Sequence, residues 1–74
     1  MNAGMLWLDA DQKRPFDEKV KRAAEYYQEK YGRSPELCYV NSAMLTDEKQ
    51  IGRIQVKPIK TVLFNHFWLG VNTN

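Results

Sequence analysis

The sequence predicts an α+β domain of two layers, β-α-β-β, in which one amphipathic helix packs on a mixed sheet of about four strands. Three observations carry this reading. An apolar stripe of helical period runs from Phe16 to Tyr31. Two short continuous apolar runs, Met5-Leu6-Trp7-Leu8 and Leu37-Cys38-Tyr39-Val40, flank it. A long apolar stretch, Thr61 to Val71, closes the chain.

Met5 to Leu8 reads as a short buried strand, closed by Asp9-Ala10-Asp11, with Gln12-Lys13-Arg14 as a polar connector. A helix begins near Pro15, whose missing N–H has no partner to lose in a first turn. Asp17 and Glu18 place negative charge at the positive end of the helix dipole. Phe16, Val20, Ala23, Ala24, Tyr27 and Tyr31 recur at helical spacing and form the inward stripe, with Tyr26 at its flank. Lys19, Arg22, Glu25 and Glu29 are assigned to the solvated side. The acid-before-base pairs Asp17/Lys21 and Glu18/Arg22, four residues apart, add roughly 0.2–0.5 kcal/mol each. Gly32 can take the left-handed conformation just past the helix end, and Pro35 forbids its continuation.

Leu37 to Val40 is non-alternating, as expected of a strand buried on both faces. With Met5–Leu8 and the helix it suggests a right-handed βαβ unit with parallel strands. Ser42 to Gln50 reads as a connection, with one helical turn over Ala43-Met44-Leu45. Arg53-Ile54-Gln55-Val56-Lys57 alternates cleanly, so Ile54 and Val56 point inward. Lys57-Pro58-Ile59-Lys60 forms the turn into the last strand, and Asn72-Thr73-Asn74 is a polar tail. In that last strand Leu63, Phe67, Leu69 and Val71 face one way and Val62, Phe64 and Trp68 the other, with His66 beside them. Both faces are apolar.

The 74 residues form a single small domain, residues 1–74. A domain this size buries only about 60% of its unfolded surface, so its core needs a supplement. The one cysteine excludes an internal disulfide, and no Cys/His cluster has zinc spacing, which leaves association with another chain. A net charge of +2, from eleven basic and nine acidic residues, is far from the basic stripe of a dedicated nucleic-acid binder. Nothing approaches the ~20 apolar residues of a membrane span, and the N-terminal apolar run is too short for a signal core. A cytoplasmic protein with no membrane partner is the resulting expectation.

No motif names a reaction, and neither a catalytic residue nor a cofactor or metal is assigned. Asp9 and Asp11, just past a strand end, could offer carboxylates to a cation, with His66 or Glu36 as a third ligand. Asp in such a place ordinarily closes a turn. His66, the only histidine, reads as a packed or interfacial residue between aromatic rings. Cys38 reads as an inert core thiol. Tyr27 and Tyr31 belong to core packing.

One helix, ~10–12 Å across, shields little more than two strands spaced ~4.8 Å apart. The uncovered apolar sheet therefore predicts a non-enzymatic interaction module that homodimerises or docks on another protein. Trp7, Val62, Phe64 and Trp68 supply the contact, with His66 at its margin. The alternative is a nucleic-acid-binding regulator using Arg53, Lys57 and Lys60 beside aromatic rings.

Overall fold

The computed structural model describes residues 4–71; the tail expected at Asn72–Asn74 lies outside the described residues. The elements in chain order are β1 (Gly4–Leu8), α1 (Phe16–Tyr31), β2 (Leu37–Asn41), β3 (Lys49–Ile51), β4 (Ile54–Ile59) and β5 (His66–Gly70). The strands form one five-stranded mixed sheet in the order β1-β5-β2-β4-β3, with α1 packed on one face. The α+β architecture of helix on mixed sheet is as the sequence predicts, with five strands rather than four.

The added strand is β3. Its three residues, Lys49-Gln50-Ile51, are too few and too polar to announce themselves. They pair antiparallel with β4, Ile51 opposite Ile54, across the two-residue turn Gly52-Arg53. Gly52 has φ +61°, and glycine with positive φ at the first central position suits the tight turns that match strand twist. Beyond Val56, the last β4 residue paired to β3, one side of β4 is an open edge. Pro58 is accommodated there, so β4 runs to Ile59 where the sequence reading placed a turn. Residues Ser42 to Met44 form a turn rather than a helical one, closed by Met44 N–H donating to Asn41 O at 2.9 Å.

β1 and β2 run in the same direction but do not touch. β5 lies between them, antiparallel to both, giving a split βαβ unit in place of the adjacent pair expected. The direct parallel pair is β2 with β4. β5 is also shorter than the predicted Thr61–Val71 strand. Asn65 takes φ +66°, and His66 N–H donates to Leu63 O at 3.1 Å. This tight turn interrupts the apolar run, and Asn is among the few non-glycine residues that tolerate it. Leu63, expected on the same face as Phe67 and Leu69, is 67% exposed in this turn.

Phe67 and Leu69 do share a face, as predicted, and it is the buried one. They join Cys38, Val40, Ile51, Ile54 and Val56 from the sheet and Val20, Ala23 and Tyr27 from α1 in the core. The helix starts one residue later than read. Pro15 is its extended N-cap, and its carbonyl accepts from Lys19 N–H at 3.0 Å. Gly32, at φ +77°, caps the other end by donating to Gln28 O at 2.7 Å. Two helix residues depart from the stripe. Tyr31 is exposed and turns its hydroxyl to Gly4 O at 3.3 Å. Lys19, assigned to the solvated side, is buried, and its positive charge helps hold the Asp9 carboxyl below its ordinary value.

Candidate functional site

The face of the sheet opposite α1 is open. Strand parity decides what it presents. Met5 and Trp7 turn toward the helix, so Leu6 and Leu8 turn away and are 58% and 59% exposed. The pairing register lines up Leu6, Trp68, Tyr39 and Lys57 across β1, β5, β2 and β4. Leu8 lies opposite His66 in the neighbouring row. Tyr39 and Trp68 are in ring contact, centroids 5.6 Å apart and planes tilted by 41°.

Trp68 is held in place by two glycines. Gly4 and Gly70 pair across β1 and β5, and the indole lies over both. A Cβ on Gly4 would stand 2.1 Å from Trp68 Cζ2, and one on Gly70 would stand 2.5 Å from Cη2. Glycine inside a strand often marks such a close approach. The result is an aromatic platform laid across two strands.

His66 is fixed from its own turn. Its Nδ1 lies 3.0 Å from Phe64 O. A carbonyl only accepts, so Nδ1 carries the hydrogen of this contact. Asn41 ties down the preceding loop, donating from Nδ2 to Val62 O at 2.8 Å and accepting from Ala43 N–H at 2.8 Å. Phe64 stands 57% exposed at the tip of the Leu63–His66 turn. Asp9 N–H donates to Asn65 O at 3.0 Å, which brings this turn beside the end of β1 and Leu8.

Of the residues predicted to form the contact, the structure brings His66 and Trp68 together on the open face. Phe64 is at its rim, in a turn rather than a strand. Val62 is half-buried in the loop before that turn. Trp7 is on the other side of the sheet, stacked on Tyr26 at 4.3 Å. The two tryptophans therefore cannot share one surface. Leu6, Leu8 and Tyr39 were missed. Gly4, just before one apolar run, and Gly70, inside another, were the signal that a large ring needed their space.

The basic trio is dispersed. Lys57 is on the open face opposite Tyr39. Arg53 stands in the β3–β4 turn and Lys60 follows β4. Arg53 borders a groove of about 340 Å³ between α1 and the hairpin, with Ala24, Pro35, Ile51 and Ile54 in its wall. That groove is on the helix side.

Asp9 and Asp11 are spent on structure. Asp9 is buried; its carboxylate accepts from Asp11 N–H at 3.1 Å and from Arg14 Nη1 at 3.0 Å. Burial pushes the Asp9 carboxyl up, but the Asp11 N–H, the Arg14 guanidinium and the Lys19 charge outweigh it, holding it below its ordinary value. Asp11 accepts from Lys13 N–H at 2.9 Å. Among the described residues no group of three His, Cys, Asp or Glu side chains could hold a metal ion. Burial pushes the Cys38 thiol up to about 12.

The chain is thus an α+β domain with one sheet face covered by its helix and an aromatic–aliphatic face left bare. No protein-family model matches it, and neither a curated protein nor a solved structure shows significant similarity. No helix among the described residues is long and apolar enough to cross a membrane.

Proposed function

We propose that this chain is a non-enzymatic interaction module whose open sheet face docks on another protein. The observation that carries the reading is the row Leu6–Trp68–Tyr39–Lys57, flanked by the exposed Leu8 and Phe64. Contiguous exposed apolar surface of this kind marks interaction sites, and rigid aromatic anchors at the centre supply most of the binding energy. The strand positions turned to this face carry Lys57 but no carboxylate. Glu48, just before β3, is the carboxylate beside this face, and it already accepts from Gln55 Nε2 at 3.0 Å, so a stacked copy of the same face would offer Lys57 only an engaged counter-charge. The partner that fits is a different protein with an apolar surface and an acidic residue at its margin. A cytoplasmic setting agrees with a single, buried, reduced cysteine.

Photo-crosslinking tests this reading. A benzophenone amino acid is placed at Leu8 and, as a control, at Arg22 on the helix. The crosslinked protein is then purified for affinity measurement. Crosslinks from position 8 alone, with binding weakened about tenfold or more by Leu6→Thr/Leu8→Thr, support it. Equal crosslinking from both positions, or unchanged affinity, overturns it.

The second reading, a nucleic-acid binder, draws on the same platform. Trp68 is laid open beside Tyr39, with Lys57 in the next strand, and bases stack on such rings. It predicts quenching of Trp68 emission by single-stranded oligonucleotides that weakens steeply with salt. The separation of Arg53 from Lys57, about 13 Å along an extended strand, makes this a narrow cationic strip.

A further inference from the structure

The outer edge of β1 carries information independent of the open face. Asp9 N–H donates to Asn65 O, which sets the phase of the whole β1–β5 ladder. Asp9, Trp7 and Met5 therefore direct their backbone groups inward to β5, and Gly4, Leu6 and Leu8 direct theirs outward. Gly4 O receives the Tyr31 hydroxyl. The N–H and C=O of Leu6 and Leu8 face away from the sheet.

Edges are ordinarily guarded by charge, proline, a bulge or extreme shortness. The opposite edge follows that rule, since β3 is three residues long and begins with Lys49. β1 has none of these devices: Gly4-Met5-Leu6-Trp7-Leu8 is uncharged, five residues long and paired in unbroken register with β5.

We infer that β1 pairs antiparallel with β1 of a second copy of this chain, about a two-fold axis at Leu6, joining two five-stranded sheets into one. A two-fold contact sets each residue against its symmetry mate, so a charge at its centre would oppose itself. Leu6 carries none. Because its backbone groups point outward, Leu6 meets Leu6 of the second copy as a hydrogen-bonded pair exchanging two N–H···O bonds. Leu8 meets Gly4 of the second copy in the same phase, its N–H sharing the Gly4 carbonyl, which has two lone pairs, with the Tyr31 hydroxyl. The exposed Leu6 side chains then pack together on the open face, and Met5 meets Trp7 of the second copy on the helix side. Docking of another protein on the open face does not depend on this pairing.

Amide hydrogen exchange on the ¹⁵N-labelled protein decides. In the dimer, Leu6 and Leu8 amides exchange on the order of tenfold more slowly in concentrated than in dilute solution, while Met5 and Trp7 are protected at both concentrations. Sedimentation shows twice the mass of the chain. Leu6→Pro removes an N–H that β5 does not use, and it yields a monomer; Leu6→Val keeps the N–H and the dimer. Leu6 and Leu8 amides that exchange equally fast at every concentration overturn the inference. So does a dimer that persists in Leu6→Pro, or one that leaves those amides unprotected while shifting Trp68 resonances. Should Leu6→Pro not fold, the exchange measurement on the unaltered chain still decides.

Discussion

Trp68 occupies the space that a side chain at Gly70 would fill, two residues further along the same strand. A Cβ at Gly70 would come within 2.5 Å of Cη2 and 2.7 Å of Cζ3 of the indole. Gly70→Ala must therefore displace the ring. Overpacking of this kind costs about 1–3 kcal/mol, which urea unfolding would register as a lower midpoint. In a Trp7→Phe background, the remaining tryptophan emission should shift to the red as the ring lifts into water. An unchanged emission maximum with wild-type stability would count against the platform.

Asn65, with φ +66°, is the hinge between the exposed Leu63-Phe64 tip and β5. Asn65→Gly should be tolerated, whereas Asn65→Val should lose roughly 1–2 kcal/mol, the cost of forcing a β-branched residue into the left-handed region. Chemical denaturation of the two variants side by side checks this. Equal stability would mean that the turn does not need its positive φ.

The Asp9–Arg14 pair should make folding sensitive to acid. The folded Asp9 carboxyl titrates below its ordinary value of 3.8, so the folded state binds its proton less readily than the unfolded chain does. The stabilisation is fully present above that ordinary value and drains away as pH falls through the lower folded one. Asp9→Asn should therefore melt below the parent protein at pH 7, by about 1–2 kcal/mol in stability for lost charge-assisted bonds. Thermal melts of the two proteins should converge toward pH 2. A constant difference across the range would assign the effect to something other than this carboxylate.

Cys38 should react only when the domain opens. Its thiol is buried and raised from 9.0 to about 12, so the nucleophilic thiolate is scarce at neutral pH. Modification by a disulfide reagent should track global unfolding and accelerate in parallel with it across a urea series. Above pH 9 the unfolded thiol ionises while the folded one does not, so this group lowers stability as pH rises from 9 toward 12. Cys38→Ala should remove that alkaline loss. Rapid labelling in native buffer would show that β2 is less enclosed than its central position implies.

Local signals were legible and long-range ones were not. The α1 stripe from Phe16 to Tyr27, the capping Gly32 and the alternation of Ile54 and Val56 are written in nearest-neighbour periodicity and are found as read, while Tyr31 at the end of the stripe is exposed. The insertion of β5 between β1 and β2 depends on pairing across most of the chain, which no window of sequence reports. β3 was missed because three residues, two of them polar, carry no pattern. The break at Asn65 was hidden because no Gly or Pro stands within four residues of it in the apolar run, although Asn itself was the sign. At the candidate site, His66 and Trp68 were identified because aromatic residues draw notice. Leu6 and Leu8 were not, because a run of consecutive apolar residues conceals which parity faces the helix.

The placement of β5 has a consequence for how the chain is made. β1, α1 and β2 are translated first, yet β1 has no neighbouring strand until residues 66–70 arrive to pair with it on one side and with β2 on the other. A ribosome-bound chain ending before His66 holds a sheet in two pieces, with the seats of Phe67 and Leu69 unfilled. Assembly must therefore wait for the last strand to emerge and lock both halves at once.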